Sequence, residues 1–469
     1  METALHAPRS LDYTPAYVLA GGGNPIAGFE TGSATLRALY KPGSSKAEAA
    51  GYAIVSGFDE VLQEAISVSA PLSIVNRPQQ PDHDAEWWRR WLAAVRDFTM
   101  AICDAYWIAP SGTSYIDADA LQLRMAASVV EAMRWAACDR FSPDDALWDR
   151  LASVFARSAD AESSVVGGDV RGVGAQYLRA IAYYSGNLDQ LELETAIALM
   201  HVIDRLLPFL ELSRKKTAAL QYQVVPGKQS MPMRSATEQQ AGAWYFSAVA
   251  ADEVLARFQS ELERGAVPTA LGALPLAVAL DAVLTLRRYW GDEPPVRRRR
   301  RYSQDAKIEV ARGLEDCVAV VDGGAPKLPR HWQALDFSQS GLHIWADRDP
   351  KRAWPDIGEL LGIHFVDGVG WQLGVVRRLR MWPSSADLGV ELVARRPSLV
   401  ELDDGRAPVK GILCDEIRKG EAVRVVVPSQ VEFTSGNVAL RHGSSAHSLC
   451  RLDVERVERD YRICTFQVL

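Results

Sequence analysis

The sequence predicts a multidomain α+β protein, with a mainly α-helical N-terminal region, then an antiparallel β-barrel and a C-terminal β extension. The chain has 469 residues, and single hydrophobic cores rarely exceed roughly 250–300 residues. Apolar residues recur at helical spacing up to about residue 290, and short β-rich runs separated by turns follow. The hydrophobic fraction of 48% and the charged fraction of 24% are typical of globular proteins. We therefore expect four segments, which are residues 1–80, 81–290, 291–400 and 401–469.

The first segment contains glycine clusters and short apolar runs. Three glycines occupy residues 21–23, and Lys-Pro-Gly-Ser-Ser occupies residues 41–45. Glycine and proline clusters of this kind mark turns. The segment is therefore expected to be rich in loops, with a few strands or a short helix.

Residues 81–290 carry the pattern of amphipathic helices. Asp84 is placed to cap a helix. The apolar positions that follow at helical spacing are Trp88, Trp91, Leu92, Val95, Phe98 and Ile102. A second start signal lies at residues 142–145, an αα-hairpin is indicated around residues 185–187, and further helices are predicted over 244–262 and 275–290. No fixed period recurs, which favours a plain helical domain over a repeat scaffold.

A linker at residues 291–295 separates this region from one typical of β-barrels or sandwiches. Short β-rich runs occur at residues 308–310, 318–321, 341–345, 371–376, 389–393, 422–427 and 438–441. The part after residue 398 is expected to pack on the preceding barrel or to form a second small one.

Charge and cysteine content restrict the function. The formal net charge of -7 argues against general nucleic-acid binding, which needs a basic surface, although a local basic site is still possible. The six cysteines include no C-x-x-C pair, which fits neither a zinc site nor a disulfide framework. No secretory signal opens the sequence, and the most apolar run, residues 270–286, is shorter than the roughly 20 residues of a membrane span. We expect a cytoplasmic protein without a membrane span.

Two segments carry the functional signal. The first is a run of five arginines, residues 297–301, followed by Tyr302. Taken alone, such a run is usually a solvated face or a patch for polyanions. The second is Asp336-Phe337-Ser338-Gln339-Ser340-Gly341, and Asp-x-Ser-x-x-Gly alone is a common turn.

Together and in this order, the two segments resemble the PilZ family, whose marks are R-x-x-x-R and [D/N]-x-S-x-x-G. Arg297 and Arg301 match the first motif, and Asp336, Ser338 and Gly341 match the second. The strand-like runs that follow, ending in Gly-Val-Glu-Leu at residues 389–392, also resemble the family. The distance between the motifs is longer than in the family, and residues 323–330 are interpreted as an inserted loop.

The resemblance implies a PilZ-type β-barrel that binds cyclic di-GMP. By that resemblance, Arg297 and Arg301 hold phosphate and guanine, while Asp336, Ser338 and Gly341 bind the other guanine face. Arg298 is a plausible auxiliary contact. The chemistry agrees, because arginine pairs with phosphate oxygens or the guanine O6/N7 edge, and a carboxylate accepts from guanine N–H groups.

No pattern of residues predicts catalysis. His201 lies on the apolar face of a predicted helix, where a core histidine is more common than a base. His442 and His447 flank a predicted turn with no nucleophile elbow, and no phosphate-binding loop is present. The predicted function is a non-enzymatic second-messenger effector, without cofactor or metal, that relays cyclic di-GMP binding to the helical domain or a protein partner. The alternative is a polyanion-binding or scaffold adaptor with a degenerate barrel that binds no cyclic dinucleotide.

Overall fold

The protein divides into two compact units, Met1–Val296 and Arg297–Leu469. A computed structural model describes most of both units. The described residues are 24–41, 45–69, 85–109, 117–142, 145–158, 165–166, 172–216, 222–226, 229–234, 239–291, 302–326, 330–347, 354–382, 384–433, 435–458 and 460–469.

The first unit is mainly helical and carries one small antiparallel sheet. Its described helices are α1 (Pro25–Leu39), α2 (Ser45–Ser69), α3 (Ala85–Ile108), α4 (Ala118–Cys138), α5 (Asp145–Arg157), α6 (Val173–Ser185), α7 (Leu193–Leu206), α8 (Val249–Glu263) and α9 (Leu276–Trp290). The strands of the sheet are β1 (Val165–Val166), β2 (Glu211–Ser213), β3 (Tyr222–Val225), β4 (Gln229–Arg234) and β5 (Trp244–Ser247). Their order in the sheet is β1-β2-β5-β3-β4.

The prediction of a loop-rich segment over residues 1–80 is wrong where the structure describes it, because α1 and α2 lie there. The glycines there permit close packing or a kink. A Cβ on Gly32 would lie 2.6 Å from Cζ of Phe98, so the absence of a side chain lets α1 approach α3. Gly51 has a φ of 59° and kinks α2, a conformation that glycine adopts without strain.

The predicted helix after Asp84 corresponds to α3, although Asp84 itself lies outside the described residues. All six of its predicted apolar positions are buried. Trp91 packs edge to face on Trp135 of α4, with ring centroids 5.7 Å apart. The predicted αα-hairpin corresponds to α6 and α7, where Asn187 takes a left-handed φ of 63°. Burial of the aromatic stripe therefore holds the helices together.

The helix predicted over residues 244–262 begins only at Val249, because Trp244–Ser247 is the strand β5. All four residues of β5 are buried. A short apolar run buried on both faces has no alternation to separate it from a helix.

The second unit begins with a closed six-stranded barrel, which we call the first barrel. Its strands are β6 (Tyr302–Arg312), β7 (Arg330–Phe337), β8 (Gly341–Asp347), β9 (Leu360–Phe365), β10 (Gln372–Met381) and β11 (Ser385–Ala394). Around the ring the order is β6-β7-β8-β11-β10-β9. Buried aliphatic side chains such as Ile308, Ile344 and Leu388 fill the interior.

The strand predicted at residues 318–321 is wrong, because these residues end the helix α10 (Gly313–Val321). Gly313 turns the chain with a φ of 73°. Cys317 and Val320, three residues apart, are buried on the same face of the helix. This helix lies in the long interval between the two motifs, before residues 323–330, which are interpreted from the sequence as an inserted loop.

The chain after residue 398 forms a second closed barrel. Its strands are β12 (Ser398–Asp403), β13 (Val409–Leu413), β14 (Ala422–Pro428), β15 (Asn437–His442), β16 (Ser445–Val457) and β17 (Tyr461–Val468). The ring order is β12-β13-β14-β17-β16-β15. In both barrels, therefore, the ring runs through the first, second, third, sixth, fifth and fourth strands. The second barrel repeats the topology of the first.

The two barrels share a hydrophobic core between them. The first barrel and α10 contribute Cys317, Leu360, Leu373, Val375, Val393 and Ala394, and the second barrel contributes Ile412, Cys414, Val426, Tyr461 and Ile463. The Tyr461 hydroxyl donates to the Gly358 carbonyl at 2.7 Å. Because the shared core is apolar and buried, it favours one fixed arrangement of the two barrels.

Candidate functional site

The acidic turn predicted from the sequence connects β7 and β8 of the first barrel. Asp336 is paired with His343, and a register shift between Ala334 and Asp336 interrupts the strand pairing just before it. Ala334 is buried in the barrel interior. Asp336 lies two residues later, and the bulge turns it to the outer face, with its side chain 21% exposed.

Asp336 belongs to a row of ionisable side chains that crosses the outer face of the barrel. The Nδ1 atom of His343 lies 3.3 Å from Oδ2 of Asp336. Its Nε2 atom lies 2.6 Å from Oδ1 of Asp387 on β11. Arg378 on β10 lies 3.5 Å from the same carboxylate oxygen. Four neighbouring strands thus contribute two carboxylates, an imidazole and a guanidinium to one surface.

Ser338 is a structural residue of the turn. Its backbone N–H donates to the Gly341 carbonyl at 2.8 Å, and its hydroxyl donates to the same oxygen at 3.3 Å. The Ser340 N–H donates to the Ser338 hydroxyl at 3.4 Å. The side chain is therefore engaged within the turn, as serine commonly is.

Gly341 is required by the approach of β8 to β11. A Cβ at this position would lie 2.7 Å from the backbone oxygen of Val390. The packing of backbone against backbone thus explains this glycine without a ligand. Asp336, Ser338 and Gly341 are the predicted ligand residues that the structure describes. Of these, only Asp336 has a side chain that is directed to the outer face rather than engaged within the turn.

Arg297, Arg298 and Arg301, the other predicted ligand residues, lie outside the described residues. The described chain resumes at Tyr302, which is paired with Phe337. Ser303, the next residue, is paired with Asp336. The rings of Tyr302 and Phe337 lie 5.7 Å apart, and Tyr302 is 54% exposed. The strand that follows the arginine run in the sequence therefore starts beside the acidic turn.

Three further ionisable residues at the site were not predicted, namely His343, Arg378 and Asp387. His343 and Asp387 each lie between two buried residues, which is the alternation of a half-buried strand, whereas Arg378 lies between the half-buried Arg377 and the buried Leu379. The alternation indicates that a side chain is exposed, but the side chains that it contacts depend on which strands are neighbours in the barrel. His343 and Asp387 are 44 residues apart in the chain and meet only through the pairing of β8 with β11.

The histidines set aside as catalytic candidates lie on a hairpin of the second barrel and on helix α7. His442 and His447 lie on the hairpin of β15 and β16, which turns at Gly443 with a φ of 56°. Burial lowers the pKa of His201. Within the described residues, no three histidine, cysteine or carboxylate side chains are grouped so as to hold a metal ion. None of the described helices combines the length and apolar content needed to cross a membrane.

Comparison of the chain with models of protein families finds no match. Comparison with curated proteins also finds no match.

Proposed function

We propose that this chain is a bacterial second-messenger effector that binds cyclic di-GMP at the Asp336 turn of the first barrel. The observation that carries the proposal is the pairing of Ser303 with Asp336. Arg301 directly precedes Tyr302 in the sequence. The arginine run therefore leads into the strand that pairs with the acidic turn. Arginines can pair with the phosphates of the ligand, and a carboxylate can accept hydrogen bonds from the guanine N–H groups.

The described surface around Asp336 is suited to a purine nucleotide. The carboxylate can accept hydrogen bonds from guanine N1 and N2. The exposed ring of Tyr302 beside Phe337 offers an aromatic face on which a base can stack. Tyr302 pairs with Phe337 and Ser303 pairs with Asp336, so the ring and the carboxylate are neighbours along the strand pair but point to opposite faces. Recognition of guanine therefore rests on the carboxylate, and the ring is a separate aromatic surface at the start of β6.

The position of the arginine run suggests how binding would be relayed. Arg297 is the first residue of the second unit, so the run lies at the boundary with the helical unit. A dianionic ligand that engages these arginines would favour one arrangement of the joining segment over others. In the proposed effector, that preference exposes or covers a surface of the helical unit for a protein partner.

Titration calorimetry with cyclic di-GMP tests the proposal. Wild-type protein should bind saturably, and Arg301→Ala and Asp336→Ala should each bind about ten- to a hundredfold more weakly, since hydrogen bonds to charged groups contribute about 1.5–3 kcal/mol. Asp347→Ala serves as the matched control, because Asp347 is an exposed carboxylate at the far end of β8. It should bind as tightly as wild type.

The alternative adaptor gives a different result. A polyanion-binding surface would bind mixed-sequence RNA or DNA with a steep dependence on salt and little effect of Asp336→Ala. Absence of cyclic di-GMP binding by the wild-type protein would overturn the proposed function. Saturable binding that Asp336→Ala and Arg301→Ala leave unchanged would show that the ligand binds elsewhere.

A further inference from the structure

The connector between the two barrels touches the acidic turn. Residues 395–397 join β11 to β12, and the first of them is Arg395. Its Nη2 atom donates a hydrogen bond to the backbone oxygen of Gln339 at 2.8 Å. Gln339 lies inside the turn, between Ser338 and Gly341. The Arg395 side chain is exposed, so its remaining N–H groups are open to solvent.

Both barrels fix the position of Arg395. The two residues before it, Val393 and Ala394, are buried in the core that the barrels share. Arg424 of the second barrel donates to the Val393 carbonyl at 3.0 Å. The backbone that carries Arg395 is thus held from both sides. A guanidinium on an anchored backbone loses less conformational entropy when it binds an anion than one on a free segment.

Two consecutive arginines of β10 lie beside carboxylates. Nε of Arg377 donates to Glu391 at 2.6 Å, and Arg378 lies 3.5 Å from Asp387. Arg395 has no carboxylate within ion-pair distance among the residues that the structure describes. Its positive charge beside the turn is therefore not neutralised by the described surface. A phosphate placed at this turn would gain from that charge without first displacing an internal ion pair.

We infer that Arg395 is a further ligand-binding residue, which pairs with a phosphate of the cyclic dinucleotide bound at the Asp336 turn. The inference rests on the proposed function, because it assigns a residue to that same site. It makes the site a product of both barrels, since the first supplies the turn and the connector held by the second supplies a cation. Arginine suits this role through its fork of N–H donors, which matches phosphate oxygens.

Three variants separate phosphate binding from support of the turn. Arg395→Ala removes charge and donor, and should weaken binding of cyclic di-GMP about ten- to a hundredfold. Arg395→Gln keeps a donor for the Gln339 carbonyl but removes the charge, and should weaken binding nearly as much. Arg396→Ala is the matched control, because Arg396 is the exposed neighbour in the same connector. It should bind as wild type.

The salt dependence of the dissociation constant provides a second readout. If Arg395 pairs with phosphate, affinity should fall less steeply with salt between about 0.05 and 0.5 M in Arg395→Gln than in wild type, because one screened charge pair is lost. If Arg395→Gln binds with wild-type affinity and wild-type salt dependence while Asp336→Ala binds more weakly, the ligand binds at the turn without Arg395. That result would overturn the inference but not the proposed function. If the wild-type protein binds no cyclic di-GMP, the proposed function fails and this inference fails with it.

Discussion

Asp415 and Arg424 form a two-pronged ion pair across the turn that joins the second and third strands of the second barrel. Nε and Nη2 of Arg424 donate to the two carboxylate oxygens at 2.9 and 2.7 Å. The corresponding turn of the first barrel, between β7 and β8, brings Asp336 to His343. The duplicated topology therefore places an acidic residue at equivalent turns, but the second barrel neutralises it with its own guanidinium.

The surrounding face of the second barrel is also occupied. Ile412, Val426 and Ile463, on β13, β14 and β17, are buried in the core shared with the first barrel. These strands are the second, third and sixth of their barrel, as β7, β8 and β11 are of theirs. The face that carries the proposed ligand site in one barrel is thus a packing surface in the other.

We predict that the chain has one ligand site, so that Asp336→Ala should leave no cyclic di-GMP binding of wild-type affinity. Asp415→Asn should leave the affinity unchanged, because Asp415 is already engaged by Arg424. Equilibrium dialysis of both variants measures the number of sites. A stoichiometric component of wild-type affinity remaining in Asp336→Ala would contradict the assignment of a single site.

Gly341→Ala should destabilise the second unit. Its new Cβ would lie 2.7 Å from the Val390 backbone oxygen, and backbone cannot move aside as a side chain can. We expect a loss of about 1–3 kcal/mol, the usual cost of overpacking. Denaturant unfolding measures it, with Gly436→Ala as control, because no atom lies within 4 Å of a Cβ there. Equal stability of the two variants would show that β8 and β11 separate easily.

Helix α3 and the hairpin of α6 and α7 follow from local sequence, because helical spacing and a turn residue such as Asn187 act within a few positions. Part of the candidate site does not follow from local sequence. A single bulge before Asp336 breaks the alternation that would have assigned it to a face. The partnership of His343 with Asp387 depends on which strands close the barrel, and apolar residues 318–321 fit helix and strand equally. Contacts between distant strands set these features, and one sequence does not reveal them.

Asp59→Asn should stabilise the first unit at neutral pH. Burial raises the pKa of Asp59 above its ordinary value, although the Tyr106 hydroxyl donates to it at 2.9 Å. An acid whose pKa is raised on folding binds its proton more tightly in the folded state, so wild-type stability falls as the pH rises through that pKa. The asparagine cannot ionise and escapes this loss, while it can still accept from Tyr106.

The advantage of Asp59→Asn should therefore be largest near pH 7 and shrink as the pH falls toward the ordinary pKa of an aspartate. Native-state hydrogen exchange of α3 amides at several pH values measures it. Glu60→Gln, a change at the exposed neighbour, is the control and should show no such trend. A difference between Asp59→Asn and wild type that is constant with pH would contradict the buried-charge explanation.

Native-state alkylation should find one fast-reacting thiol among the six, that of Cys450. The other five cysteines are buried, and Cys450 is half-buried on β16. Burial raises the pKa of Cys103 to about 11 and that of Cys138 to about 12, which suppresses the reactive thiolate at neutral pH. Cys450→Ser should abolish the fast phase with iodoacetamide, whereas Cys464→Ala should retain it and unfolded wild type should label at all six. A fast phase that persists in Cys450→Ser would mean that one of the buried strands or helices opens readily enough to expose its thiol.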